Sequence, residues 1–265
     1  MGDTKALLLS AGLGTRLKPL TDIWPKCLMP IRGRPLLGYW LDILQESGIN
    51  DVLVNTHHLS EYVEDFLDQP CFIDWVNLHY ESKLLGTAGT VRENISFLKD
   101  STVLLVHADN WTCCNFSEFL YYHYNQRPKG TVMTMMTFTC SDPSTCGIVE
   151  LDCNGIVIKL HEKVKNPPGK LANAAIYIIE PEVINWIESN PEITDFSTEV
   201  IPQFLGKIAT WANKSVHRDI GTISELVKAQ KDCENSPLIN VKNNSWQDNF
   251  YNSKVFKDID NYLNK

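Results

Sequence analysis

A short apolar run, Ala6 to Leu9, leads directly into Ser10-Ala11-Gly12-Leu13-Gly14-Thr15-Arg16, and Lys18, Lys26, Arg32 and Arg34 follow. Glycine has no Cβ, so a chain with two of them can turn tightly and let a ligand approach the backbone. Successive N–H groups in such a turn form an anion-binding concavity. Arg16 and Lys26 can add full positive charges beside it. The chemistry implied is a nucleotide held by its phosphates, and the ordinary alternative is a solvated basic turn. Leu17 stands where the dinucleotide fingerprint needs its third glycine. No Gly-Lys-Ser/Thr ending follows, which excludes the ATPase-type phosphate loop. The protein-kinase set lacks its Asp-Phe-Gly.

The charge distribution supports a local anion site. The chain carries 24 Lys+Arg against 32 Asp+Glu, net −8, yet residues 1–34 sum to +4 and the remaining 231 residues to −12. An acidic protein with one basic segment can focus a small anion. It lacks the broad basic face that nucleic acid requires, so no nucleic-acid partner is expected. The 265 residues, 43 % of them hydrophobic, can bury one large core or two adjoining ones. Eight cysteines, at 27, 71, 113, 114, 140, 146, 153 and 233, include no C-x-x-C pair. Reduced thiols in a cytoplasmic protein are expected. Neither a signal-peptide pattern nor an apolar run near 18 residues occurs, so no membrane partner is expected.

Elements must bring these residues together. The patterns predict strands at Ala6–Leu9, Asp51–Thr56, Val76–Tyr80 and Val103–His107, with helices over Leu36–Ser47, Glu61–Asp68 and Thr87–Leu98 between them. Gly48 suits a left-handed helix end, and Ser60 suits an N-cap. Such alternation implies βαβ crossovers and a mostly parallel sheet. A further helix is expected over Asn115–Gln126. Beyond Gly130 the reading is β-rich: Thr131–Cys140, Gly147–Leu151, Ile156–His161 and Ala172–Ile179, with Asn154-Gly155 marking a hairpin. Helices follow near Pro181–Glu188 and Thr198–Leu205. The Asn-rich tail carries Val255, Phe256, Ile259, Tyr262 and Leu263 at helical spacing, predicting a helix docked on the core or on a second copy in a homo-oligomer. Adjacent His57 and His58 read as satisfied by loop or core contacts rather than as metal ligands. Trp40, Trp75 and Trp186 read as packing residues.

The opening segment resembles the sugar-1-phosphate nucleotidyltransferase family, whose pattern is approximately [A/G]-G-x-G-T-R-L-x-P-L-T followed by P-K-P-[LM]. Here it stands as Ala11 to Thr21 and Pro25-Lys-Cys-Leu-Met29, with Cys27 in the usual proline position. Further matches follow in order: Glu81–Gly89, His107-Ala-Asp109, Cys146-Gly-Ile-Val149, His161-Glu-Lys-Val164, Ala172-Asn-Ala-Ala175 and Asp219-Ile-Gly-Thr222. The resemblance covers about residues 4–231 and most resembles the mannose-1-phosphate guanylyltransferases. It implies an open, mostly parallel Rossmann-like α/β sheet with a smaller β-rich sugar-binding part. Residues 1–231 would form the nucleotidyltransferase domain and 232–265 a C-terminal tail.

The resemblance also implies a reaction, in which a nucleoside monophosphate passes from a nucleoside triphosphate to a sugar 1-phosphate and pyrophosphate leaves. Arg16, Lys26 and Asp109 would be catalytic. Leu9, Ala11, Gly12, Gly14, Thr15, Gly86, Thr87 and Gly89 would join Arg16 and Lys26 in binding the nucleotide. Gly147, Glu162, Lys163 and Asn173 would hold the sugar phosphate, and Asp109 and Asp219 would ligate Mg²⁺. Val164 and Ala175 depart from the family's proline and glycine. The favoured pair is GTP with a mannose- or heptose-type sugar 1-phosphate, on Leu85-Gly-Thr-Ala-Gly89. The alternatives are a cytidylyl- or uridylyltransferase, or a catalytically silent regulatory subunit that binds nucleotide sugars.

Overall fold

The structure, a computed structural model, describes residues 4–232 and 250–263. In chain order its regular elements begin with β1 (Thr4–Leu9), β2 (Pro30–Ile31), β3 (Arg34–Pro35), α1 (Leu36–Glu46), β4 (Val52–Thr56), α2 (Ser60–Leu67) and β5 (Val76–Tyr80). Next come α3 (Thr87–Glu93), α4 (Ile95–Leu98), β6 (Thr102–His107), β7 (Asn110–Thr112), α5 (Phe116–Asn125), β8 (Met133–Thr139), β9 (Gly147–Leu151) and β10 (Val157–Glu162). The last are β11 (Leu171–Ile179), α6 (Pro181–Ser189), β12 (Ile208–Ala212), β13 (His217–Asp219), α7 (Ile223–Asp232) and a C-terminal helix, Lys254–Leu263. The expected α/β class is present. Two compact units divide the chain: residues 1–7, 85–107 and 114–215 form one, and 8–84, 108–113 and 216–265 the other.

In the first unit the strand path is β10-β9-β11-β6-β1, with β8 beside β11 and β12 beside β8. β11 runs antiparallel to β6 and β8, and its residues Ile176 to Ile179 are fully buried. The Asp152–Gly155 turn closes β9 onto β10 as expected: Asp152 Oδ1 accepts from Asn154 N and Ile156 N, each at 2.9 Å. In the second unit β4 and β5 are neighbours. β4 and β5 pair in parallel from Val52↔Val76 to Thr56↔Tyr80, and α2 is their crossover. Every residue of β4 is buried, whereas β5 leaves Leu78 and Tyr80 exposed, as an edge strand does. Arg32 and Gly33, both at positive φ, make the tight turn between β2 and β3. No helix among the described residues is long and apolar enough to cross a membrane.

Several local expectations change. Ser60 opens α2 rather than capping it, because Leu59 at φ 54° occupies the cap position without a side-chain bond. The helix expected over Thr87–Leu98 breaks at Asn94, whose Nδ2 turns back to the Thr90 carbonyl at 2.9 Å. The Thr198–Leu205 segment is a π turn over Phe196–Val200 followed by a 3₁₀ turn, Ile201–Phe204. Gly48 takes the left-handed conformation expected of it, at φ 76°. The C-terminal helix forms where helical spacing predicts it, with Ile259 buried and Tyr262 36 % exposed. The side chains of Val255 and Leu263, and residues 233–249, lie outside the described residues.

Candidate active site

Within the second unit the glycine loop follows β1. Gly14 needs to be glycine: its φ is 62°, and a Cβ would stand 2.7 Å from Thr21 Cγ2. Thr21 Oγ1 donates to the Gly14 carbonyl at 2.9 Å and closes the loop. A Cβ at Gly12 would meet nothing within 4 Å, so protein packing does not demand glycine there. Ser10 N donates to Asn55 Oδ1 at 2.7 Å, and Asn55 Nδ2 donates to Glu81 Oε1 at 2.8 Å. Asn55 and Glu81 are both buried, so a polar bridge anchors the loop start to the ends of β4 and β5. Asn55 carries no motif and was not legible in sequence. His57 and His58 contact the carbonyls of Glu81 and Thr21, as expected of a satisfied pair.

Four of the charged residues singled out by sequence meet here. Lys26 is 7 % exposed, and its Nζ donates to Asp109 Oδ2 at 2.6 Å and to Asp219 Oδ1 at 2.8 Å. Arg16 Nη2 donates to Asp219 Oδ2 at 2.9 Å. The short ribbon of β7 and β13 sets the two carboxylates: Asp219 pairs with Asn110, and Ile220 N donates to the Asp109 carbonyl at 3.2 Å. Trp40 Nε1 braces the ribbon through the Asn110 carbonyl at 2.9 Å. Gly221 leaves room for the Arg16 guanidinium, since a Cβ would lie 2.7 Å from Nη2. Burial disfavours the charge on Lys26, yet the two carboxylates outweigh it and hold its pKa above the ordinary lysine value. Burial likewise opposes the charge of Asp219, and Lys26 with Arg16 overcomes it and holds the carboxyl below the usual range. Cys27 is no nucleophile: burial pushes its thiol up to about 12.

Without further groups the two cations and two carboxylates cancel. Among the described residues no cluster of three or more His, Cys, Asp or Glu could hold a metal. Two convergent carboxylates nevertheless suit Mg²⁺, which commonly takes one or two from the protein and completes its octahedron with water and phosphate oxygens. The donor set therefore fits that ion.

In the first unit, Gly86 at φ 78° lies against the Thr194 carbonyl, which a Cβ would overlap, and Ala88 N donates to that carbonyl at 2.9 Å. Thr87 Oγ1 accepts from Phe196 N at 2.7 Å, and Gly89 spaces α3 from Leu85. These residues thus have packing duties of their own. Gly147 pairs with Glu162 across β9 and β10, and a Cβ at 147 would lie 2.6 Å from Glu162 Oε2. Lys163 Nζ is 3.4 Å from Glu162 Oε1, so Gly147, Glu162 and Lys163 form one group. Asn173 Nδ2 donates to Tyr177 Oη at 2.7 Å, and its Oδ1 accepts from Ala175 N at 2.9 Å. Ala175 sits at φ 53°, a left-handed conformation that glycine would adopt without strain.

The nucleotidyl transferase family matches residues 5–236. A UTP–glucose-1-phosphate uridylyltransferase of Synechocystis is 31 % identical over 217 residues, 76 % of this chain and 55 % of that protein. A mannose-1-phosphate guanylyltransferase of Mycobacterium tuberculosis is 29 % identical over 232 residues, 86 % of this chain and 64 % of that protein. The chain thus spans under two thirds of the length of these relatives. In fold it is similar to HddC from Yersinia pseudotuberculosis, with a TM-score of 0.72, 22 % identity, and coverage of 87 % of this chain and 99 % of that one. The glycine loop, Lys26 and both carboxylates lie inside the matched residues, and the chain belongs to the nucleotidyl transferase family.

Proposed function

We propose that the protein transfers a nucleoside monophosphate from a nucleoside triphosphate to a sugar 1-phosphate. A phosphate oxygen of the sugar attacks the α-phosphorus, the bond to the bridging oxygen of the β-phosphate breaks, and pyrophosphate leaves with the electron pair. The observation that carries this reading is the buried Lys26 ammonium shared by Asp109 and Asp219, with Arg16 on the second carboxylate.

The attacking phosphate is already ionised, so the residues need to position and neutralise rather than to remove a proton. Lys26 is held charged and rigid by its two partners, and it receives the α-phosphate as negative charge builds there. Arg16, two thirds exposed, reaches the β- and γ-phosphates. At an effective dielectric near 20, a charge pair about 4 Å apart gains roughly 4 kcal/mol, enough to matter for two polyanions that must meet. Gly12 and Gly14 let phosphate oxygens approach the backbone, and Leu9, Ala11 and Thr15 complete the loop. Gly86, Thr87 and Gly89 line the base site. Glu162 and Asn173 bind sugar hydroxyls, Gly147 allows close backbone contact, and Lys163 meets the sugar phosphate. Mg²⁺ bound by Asp109 and Asp219 would add positive charge to a site whose own charges cancel.

GTP with a mannose- or heptose-type sugar 1-phosphate is the favoured pair, supported by Leu85–Gly89 and the mycobacterial relative. The Synechocystis relative favours UTP with glucose 1-phosphate as the second reading. The test is a matrix of five nucleoside triphosphates against a panel of sugar 1-phosphates, read by pyrophosphate release. GTP is expected to give the highest kcat/KM. Product only with UTP would select the second reading, and no product in any pairing would overturn both.

A further inference from the structure

The turn that carries Lys26 is held from outside by a segment that the family match does not include. Trp24 Nε1 donates to the Leu28 carbonyl at 2.8 Å and so spans the turn from Pro25 to Leu28. The turn itself is closed by Leu28 N to the Pro25 carbonyl at 3.0 Å and Met29 N to the Lys26 carbonyl at 3.1 Å. The Trp24 ring is 6 % exposed, with Tyr62 on one side at 4.9 Å between centroids and Phe250 on another at 5.0 Å. Phe250 is 3 % exposed. Next to it, Tyr251 fills the place that a side chain at Gly33 would take, in the turn between β2 and β3. Phe256 of the C-terminal helix packs edge-to-face against both, at 5.3 and 4.9 Å between centroids. The family match ends at residue 236, so Phe250, Tyr251 and Phe256 all lie beyond it.

We infer that Phe250 is a positioning residue for Lys26: with Tyr62 it forms an aromatic clamp on Trp24 and, through it, on the Pro25–Met29 turn, while Tyr251 and Phe256 hold Phe250 in place. A lysine that must meet phosphate while balanced between two carboxylates tolerates little displacement, since errors near 1 Å cost on the order of 10²-fold in rate. The clamp touches no reacting atom and acts only through the turn. This inference rests on the proposed role of Lys26 for its kinetic consequence but not for its structural one, so the test reads both.

Full-length protein carrying Phe250→Ala, Tyr251→Ala or Phe250→Leu is compared with wild type by residue-resolved hydrogen exchange and by steady-state kinetics. In Phe250→Ala, the amides of Leu28 and Met29 are expected to exchange about tenfold faster than in wild type, while β4 amides stay protected, as local opening requires. The kcat/KM for the triphosphate should fall about tenfold with the sugar 1-phosphate KM unchanged, and Phe250→Leu should restore most of both. Tyr251→Ala, which acts on the clamp through Phe250, gives the same pattern more weakly and serves if Phe250→Ala does not fold. Unchanged exchange at Leu28 and Met29, or an equal rise across β4, would overturn the clamp. Faster exchange at the turn without pyrophosphate release from wild type would uphold the clamp and refute the proposed chemistry.

Discussion

Lys26 and Asp219 hold each other in their charged forms, and this makes the stability of the protein depend on pH at both ends. The raised pKa of Lys26 means its contribution is fully present below the ordinary value of 10.5 and is lost as pH rises through the higher folded value. The lowered pKa of Asp219 means its contribution is present above the ordinary 3.8 and fades as pH falls through the lower folded value. Asp219→Asn removes one of two opposing carboxylates and leaves the burial of Lys26. Urea denaturation across pH should therefore show the alkaline loss of stability beginning at lower pH in Asp219→Asn than in wild type. Coincident alkaline limbs would contradict the coupling. A second residue-scale prediction concerns Ala175. Left-handed backbone costs an L-residue roughly 1–2 kcal/mol, partly offset by the extra unfolded-state entropy of glycine. Ala175→Gly should stabilise by about 0.5–1 kcal/mol, measured as a higher urea midpoint at unchanged slope.

Among the elements, the entry to α3 is tightly constrained. Gly86 combines φ 78° with contact against the Thr194 carbonyl, so Gly86→Ala meets both backbone strain and steric overlap. A destabilisation of about 2–3 kcal/mol is expected by denaturant titration. A different dependence belongs to α5. His123 is fully buried, bonded to Thr134 Oγ1 at 2.8 Å, and burial with the nearby Arg127 charge pushes its pKa down to about 4, against an opposing pull from Glu180. A folded state that resists protonation loses stability as pH falls below the unfolded histidine value of about 6.5. The loss should be on the order of 2–3 kcal/mol by about pH 4. His123→Gln should flatten the stability profile between those limits. Strands with strong apolar runs, such as β4 and β6, were legible because burial dictates their composition. β7 and β13, three residues each, were not, since no periodicity can show in so short a ribbon. Yet that ribbon decides where Asp109 and Asp219 stand. The α2 cap also escaped, because Leu59 in a left-handed conformation is a tertiary choice that local propensity opposes.

A net −8 chain gathers its excess of bases in residues 1–34, and the fold answers that segment with two aspartates that arrive from positions 109 and 219. Arg16 and Lys26 were legible because motif spacing exposes them, and the carboxylates because each sits in its own short motif. The Ser10–Asn55–Glu81 bridge and the aromatic contacts of Trp24 were not, since each depends on residues far apart in sequence. Lys18 provides the natural control: it is 58 % exposed and pairs with Asp22 at 2.9 Å, one turn from the loop but outside the carboxylate cluster. Whether Lys26 neutralises the transferring phosphate is decided by Mg²⁺-dependent pyrophosphate release from wild type, Lys26→Met and Lys18→Met, with the best substrate pair and matched melting curves. A loss on the order of 10²–10³-fold in kcat is expected for Lys26→Met and less than about threefold for Lys18→Met. Equal, small losses in folded variants would remove Lys26 from that role.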